Sequence, residues 1–487
     1  MLDPTVRDKL RDRYRQLETE GKIVPRARLD QYYATFRARF GPDRLAALDG
    51  EPLLEAMHGQ GSKDSLAYWL EFKNDDEFPA LFGSIAGGSA LKFSVFKRKE
   101  TGAWEAADAS NAPKPIGLAE AIAIARRQRD QLVKGDELIR LLPANGTDDD
   151  YAKLQADLDR EAAVSDFTWG HKYFSLLHPD KIDLFHTREW QQSALVKMLQ
   201  LPPDTKGRYA CAGRFIAAAV ELGTHTQGLT VVLGAVHGGW HRYWRVGTSD
   251  GTEPQNRWPL MRDGNCVAVG WPKLGDLSDL SATATYSSVQ QTPDSKERLL
   301  KALAEHYPAR ASVHGKARSQ IVKFVNEIKV GDWVLACDGG TVLGIGRVTG
   351  PYAHVPGSDF PHRRPVEWLS LDEWKMPVPE GLMTTVHLMK KSPANLLEAQ
   401  RRVQAGGGTS PVVVTPDAKK QPLVGPDKQP TPVLPGLPGR VQSALDRKGQ
   451  VVLYGPPGTG KTYWVPARRI TLSKMCGIAL VETVRAC

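Results

Sequence analysis

The sequence predicts a multidomain α+β protein in four successive parts. These are a mainly helical N-terminal region, a small β-barrel carrying helices, a proline-rich linker, and the incomplete start of a phosphate-loop α/β domain. Three observations carry that expectation. Apolar residues recur at helical spacing early in the chain, as in Leu29-Tyr32-Tyr33-Phe36 and Leu45-Leu48-Leu53-Leu54-Met57. From Gly234 the texture changes to short apolar runs, tryptophans and glycine turns, which read as strands. Eight prolines then fall between Val403 and Arg440, ahead of the strand-turn-helix stretch Val451–Thr462.

Length and composition bound the answer. The chain has 487 residues, which gives a prior of about three domains, each large enough for its own core. With 41% hydrophobic and 24% charged residues the composition is that of an ordinary globular protein. No run of about 18 apolar residues occurs, so no membrane span is expected. The charged start Met1-Leu-Asp-Pro-Thr-Val-Arg-Asp-Lys-Leu10 carries no signal peptide. Cys211, Cys266, Cys337, Cys476 and Cys487 are scattered, with no C-x-x-C pair. Such usage fits a reducing, cytoplasmic setting and argues against a zinc module or a disulfide framework. A formal charge of +9 adds a mild bias toward polyanionic partners.

Residues 1–230 are expected to form the helical domain, with a short β segment near 66–104. Within that segment Leu66–Lys73, Ala80–Ile85 and Ala90–Phe96 are predicted as strands. Glu71 and Lys73 share one face of such a strand, as in half of a restriction-type nuclease site, but the preceding Pro-Asp element is missing. Helices are predicted over Ile116–Leu142, Tyr151–Ala163, Trp169–Leu177, Trp190–Leu199 and Gly213–Leu222. The aromatic-dense stretch Phe167–Asp180 reads as a core helix ending before Pro179, with an aromatic groove as the less common alternative. Barrel strands are predicted at Trp240–Gly247, Cys266–Trp271, Asp332–Ala336, Val342–Val348, Pro365–Leu369 and Met383–His387, with helices at Ser295–His306 and Ser319–Glu327. The barrel domain spans 236–395 and the linker 403–438. A tract so rich in proline buries no core and favours extended chain.

The last part, 439–487, contains Gly-x-x-x-x-Gly-Lys-Thr directly after an apolar strand. Gly455, Gly458 and Gly460 let the backbone turn tightly, and with Pro456, Pro457 and Thr459 they form a loop whose N–H groups face an anion at a helix N-terminus. Lys461 is placed to reach nucleotide phosphates, and the Thr462 hydroxyl to ligate a nucleotide-bound Mg²⁺.

Several barrel motifs carry a resemblance. Tyr243-Trp-Arg-Val-Gly247, Val269-Gly-Trp-Pro-Lys-Leu-Gly-Asp-Leu-Ser278, Ile328-Lys-Val-Gly-Asp-Trp-Val-Leu-Ala336, Val342–Tyr352 and Pro361-His-Arg-Arg-Pro-Val-Glu-Trp368 resemble, in order, an EVE-type domain of the PUA-like superfamily. The resemblance implies a five- or six-stranded barrel that binds a modified base, such as a modified cytosine, flipped out of duplex DNA. A flipped base needs flat apolar faces and edge hydrogen bonds to offset unstacking. Trp244, Trp258, Trp271, Trp333 and Tyr352 are the candidate faces, with Trp258 and Trp271 preferred because alternation points Trp333 toward the core. Asn256, Asp276 and Asp338 are candidate edge partners, and Lys316, Arg318, Arg363 and Arg364 candidate phosphate contacts. Any of these tryptophans has packing as its commoner role.

Arg440–Trp464 is similar to the opening of an AAA+ motor of the McrB type. The resemblance implies a GTP- or ATP-dependent subunit with Mg²⁺, driven in a modification-dependent anti-phage restriction system beside a separate nuclease, and self-association into a ring when the motor is complete. Two other readings stay open: an AAA+ ATPase with protein-binding N-terminal domains, and a PUA-like RNA-binding module. No acidic Mg²⁺-organising strand end follows Thr462, and Pro466 falls in the second turn of the expected helix. The expectation is a motor truncated soon after Trp464 and not competent for catalysis. Robust GTP or ATP turnover by this polypeptide alone would contradict it, whereas turnover at the level of buffer agrees with it.

Overall fold

The computed structural model describes residues 2–405 except 60–62, 74–81, 83–84, 86–89, 99–100, 107–112, 204–206, 250–255, 282–292 and 308–310. The linker beyond Ala405 and the whole phosphate-loop part lie outside the described residues, as does most of the predicted strand Ala80–Ile85. What is described is a mixed α/β structure with a curled half-barrel sheet and a small antiparallel sheet.

The N-terminal region is built from amphipathic helices around two apolar clusters. Helix Pro4–Thr19 starts at Asp3, whose carboxylate accepts from the Thr5 and Val6 amides. It buries Val6, Leu10 and Leu17 against Phe215, Leu229 and Val232. Helices Arg26–Phe40, Gly50–His58, Leu118–Arg140 and Asp148–Glu161 surround the larger cluster. The last of these begins with a capping box, Thr147 and Asp150 each accepting from the other's amide. Inside the larger cluster lies helix Thr168–Leu177, buried at every position from Trp169 to Leu177. This is the core reading of the aromatic stretch. Even Lys172 is enclosed, its ammonium donating to the Leu70 carbonyl at 2.8 Å. Predicted helices at 190–199 and 213–222 are found as Arg188–Lys197 and Ala212–Glu221.

Three expectations fail here. Most of the predicted strand Ala90–Phe96 is a 3₁₀ turn, Ala90–Phe93, and a strand begins only at Val95. Leu66–Lys73 is not a strand: a short helix, Leu66–Tyr68, runs into a wide π turn, Trp69–Lys73. Ser65 caps it by accepting from the Tyr68 amide at 3.3 Å, and Leu66, Trp69 and Leu70 then share one buried face at i, i+3, i+4. Glu71, the acid of the strand motif, instead pairs with Lys92 at 2.6 Å. Helix Thr226–His237 was not predicted. Its threonine, valines and glycines hide the helical spacing of Leu229, Val232 and Leu233, and His225 caps it through the Gly228 amide at 3.0 Å. The small sheet is β1 (Val95–Lys97), β2 (Trp104–Ala106) and β3 (Lys114–Pro115), all antiparallel.

The half-barrel holds eight strands rather than five or six. They are β4 (Tyr243–Gly247), β5 (Cys266–Val269), β6 (Trp333–Asp338), β7 (Thr341–Val348), β8 (Ala353–His354), β9 (His362–Ser370), β10 (Trp374–Lys375) and β11 (Val386–Met389). The main path runs β11-β4-β6-β7-β9-β5, while the two-residue strands β10 and β8 add to β7 and β9. Every pairing is antiparallel except β4 with β6. The sheet is covered on both faces, so its strands read as continuous apolar runs. Trp244, Val246, Val334, Val366 and Val386 face inward onto Ile321, Phe324 and Ile328. Tyr243, Trp333, Leu335, Val342 and Ile345 face outward, beneath Trp374, Met376 and the helix Pro393–Ala405.

Asp332 ties the parallel pair. Its buried carboxylate accepts from the Arg242 amide at 3.0 Å, the Lys329 amide at 3.0 Å and the Trp244 indole N–H at 2.8 Å, with the Arg242 guanidinium at 3.1 Å. Asp332→Ala leaves these donors unpaired inside the barrel and is expected to lower stability by about 3–5 kcal/mol. Urea denaturation checks it, and a loss below about 1 kcal/mol would contradict the assignment.

A second prediction concerns pH. Burial pushes His58 and His362 down to about 4 and His186 to about 3, and holds His171 well below its ordinary value. The unfolded chain binds those protons near pH 6.5, so between about pH 6.5 and 4 it holds more protons than the fold and stability falls on acidification. Asp183 opposes this, since burial raises its carboxyl to about 7, but it is one group against these four and His225, His237 and His241, which burial also lowers. The urea midpoint is expected to drop from about pH 7.5 to about pH 5; an unchanged or higher midpoint contradicts it.

Candidate nucleic-acid interface

The loop leaving β5 presents Trp271. After Val269 the chain passes through Gly270, and Trp271 takes the left-handed conformation with φ 64° and ψ 48°. A residue with a bulky side chain is strained there, at a cost of about 1–3 kcal/mol, and persists only when its surroundings enforce it. The enforcement is visible. The Leu277 amide donates to the Tyr352 hydroxyl at 3.2 Å, that hydroxyl meets His362 Nδ1 at 2.7 Å, and His362 Nε2 meets the Trp271 carbonyl at 3.2 Å. A carbonyl only accepts, so Nε2 carries the proton, Nδ1 accepts, and the Tyr352 hydroxyl donates to it. Burial keeps this imidazole neutral by pushing it down to about 4, and pushes the Tyr352 hydroxyl up to about 12. The relay therefore clamps both ends of the 271–277 loop in one tautomer. The Trp271 ring is half-buried against the inner core, and Lys273 beside it is exposed.

Asp276 follows on the same loop, exposed, accepting from the Ser278 hydroxyl at 2.6 Å and amide at 2.9 Å. Those bonds, with His354 and His362 nearby, hold its carboxyl below the usual range, so it stays ionised. As a charged acceptor on the same loop as Trp271 it suits a base amino group.

Trp258 opens the helix Trp258–Asp263. The Asn256 side-chain oxygen accepts the Trp258 amide at 2.8 Å, and its amide group donates to Asp338 at 3.0 Å. The two predicted edge partners thus bind each other. The Trp258 ring, half-buried, meets Trp368 edge-on, with centroids 4.9 Å apart. It also covers Gly344, where a Cβ would lie 2.5 Å from the indole. Between Trp258 and Trp271 runs a bridge the sequence reading missed: Arg257 pairs with Asp359 at 2.9 Å and lies over the Phe360 ring, which packs beside Gly270. Only the motif position of Pro361-His362 hinted at this end of the barrel.

The remaining predicted residues are placed elsewhere. Trp244 is fully buried on the inner face, its indole N–H held by Asp332, so it presents no stacking surface. Trp333 points outward, parallel to His241 at 4.8 Å, and shares no surface with Trp271. Tyr352 is 8% exposed and acts through its hydroxyl, as the relay member rather than as a cage wall. Arg364 is 4% exposed and donates to the carbonyls of Phe324 at 2.7 Å, Val325 at 2.6 Å and Gly350 at 3.5 Å; it closes the barrel end, and its burial withholds it from a phosphate. Arg363 is half-buried, bonded to the Phe360 carbonyl at 3.2 Å and the Ser358 hydroxyl at 2.9 Å. Lys316 is exposed and Arg318 partly exposed on the helix Ala311–Val322. Gly455–Thr462, with the Mg²⁺ ligand Thr462, lie outside the described residues. Among the described residues no three His, Cys, Asp or Glu gather as a metal site.

Comparison with known proteins adds one finding. Residues 244–391, less than half of the chain, match the family described as Domain of unknown function (DUF8426). No curated protein and no solved structure matches the chain.

Proposed function

We propose that the chain recognises a modified base in duplex DNA at the rim formed by Trp271, Asp276 and Trp258, using an EVE-type, PUA-like barrel. In this reading it is the recognition and nucleotide-binding part of a McrBC-like restriction system. GTP or ATP with Mg²⁺ binds at Gly455–Thr462, and a separate nuclease cuts. The observation that carries the proposal is Trp271. A tryptophan held in a left-handed backbone by a three-residue hydrogen-bond relay, its ring only half-buried against the core, is strain kept at a rim rather than inside the barrel. The neighbouring ionised Asp276 and exposed Lys273 supply an edge acceptor and a phosphate contact.

The chemistry needed is modest. Stacking on Trp271 offsets part of the cost of extruding a base, and a damaged or altered pair costs least to open. Arg363 and Lys316 add sequence-independent phosphate attraction.

Duplexes with and without modified cytosine, titrated across a salt series, test the reading. The modified duplex is expected to bind more tightly at every salt concentration. Trp271→Ala should remove that preference, with a loss of about tenfold in affinity for the modified duplex, within the range for stacking. Lys316→Ala should instead weaken both duplexes alike and reduce the salt slope by about one. Equal affinity for both duplexes with the unaltered chain would leave only nonspecific binding, and capture of RNA or protein in preference to DNA would favour another reading.

A further inference from the structure

A second cleft lies away from the rim, between the end of helix Thr226–His237, the outer face of the sheet and the helix Pro393–Ala405. Its cavity is about 400 Å³, enough for a mononucleotide-sized molecule. The wall is aromatic. His241 lies flat on Trp333, with ring planes 12° apart, and Trp240 beside them is 42% exposed. Gly238 and Gly239 form the turn between helix and strand, and a Cβ added at either would meet nothing within 4 Å, so this side is open. Lys197, itself buried, holds that turn by donating to the carbonyls of Gly238 at 3.3 Å and Gly239 at 2.9 Å.

Two features of the wall point to a ligand. His241 is more than nine-tenths buried yet its Nε2 has no hydrogen-bond partner among the described residues, and Nε2 of the neighbouring, partly buried His237 has none either. Burial and the Lys197 charge keep both imidazoles neutral, at about 3 and about 4, so each can donate or accept once at that nitrogen. The charge around the cleft is also one-sided. Lys9 and Arg347 lie on its wall and no acid does; Arg347 pairs with Glu367, while Lys9 forms no ion pair among the described residues. Flat rings and cations on the wall fit a planar heterocycle carrying an anion.

We infer that this cleft binds a nucleotide unit, with the base against Trp240 and the rings of His237 and His241, and the phosphate at Lys9 and Arg347. Two sources present that chemistry, a free nucleoside monophosphate and the phosphorylated end of a single strand. The site shares no residue with the Trp271 rim or with the Gly455–Thr462 motif, so it stands or falls independently of the proposed duplex recognition.

Calorimetric titration of the full chain carrying Lys461→Ala, which removes the phosphate-loop lysine, isolates the cleft. The probes are AMP, GMP, adenosine and a 5′-phosphorylated tetranucleotide. Saturable binding of a monophosphate or of the tetranucleotide is expected, with adenosine about tenfold weaker for lack of the phosphate. Trp240→Ala and Lys9→Ala, both surface changes, should each weaken it about tenfold, while Trp271→Ala should leave it unchanged. Binding of the monophosphates identifies a free nucleotide as the source, and binding of the tetranucleotide alone identifies a strand end. Absence of saturable binding by every phosphorylated probe, or binding that survives both Trp240→Ala and Lys9→Ala, overturns the inference.

Discussion

The half-barrel depends on one buried carboxylate. β4 and β6 are far apart in sequence and run parallel, a pairing with no tight turn to set its register. Asp332 supplies the register. It receives the amide that starts β4 and the indole N–H two residues further on, while the Trp333 amide donates to the Arg242 carbonyl at 2.8 Å. The Val348 amide closes onto the Asp332 carbonyl at 2.9 Å, which adds β7 to the same corner. A slip of one residue would turn Trp244 out of the inner core and Tyr243 into it. Because β5 and β9 hang from that frame, so does the loop carrying Trp271.

A small barrel consumes large side chains, and this one uses most of its tryptophans as filling. Trp244 fills the interior, Trp368 supports Trp258 edge-on, and Trp333 and Trp374 lie under the helix Pro393–Ala405. Trp271 differs in kind. Its position follows from backbone strain and from the Tyr352–His362 relay, not from the alternation of a strand. Arg364 shows the same division among the cations: it seals the barrel end through two carbonyls, whereas Arg363, one residue away, turns outward. Period-two geometry explains that split, since neighbours on β9 take opposite faces.

Much of the fold was legible in the sequence because burial writes a period. The long helix at 118–140 and the strands at 243–247, 266–269 and 341–348 were found close to their observed bounds. The failures also have causes. Leu66–Lys73 places aromatic and apolar residues so densely that alternation and helical spacing both fit, and the Ser65 cap decides between them. In Thr226–His237, β-branched residues and glycines mask a helix that tertiary packing enforces. At the candidate site, Trp271 and Asp276 were named as candidates from a barrel motif, and Trp258 as a nearby aromatic. Which tryptophans are displayed was not legible, because display is settled by contacts remote in sequence, such as Asp332 on Trp244 and His241 on Trp333. His362 escaped notice for the same reason: its role is read from two partners, Tyr352 and Trp271, the second 91 residues away.

The central claim is that the strained loop at Trp271 receives an extruded base. The measurement closest to it is a structure of the chain bound to a duplex containing a single modified cytosine. The account predicts that base outside the helix, stacked on the Trp271 ring with its amino edge toward Asp276, and the Tyr352–His362–Trp271 relay intact. A modified base still stacked in the duplex, or an extruded base lodged away from Trp271, would contradict it.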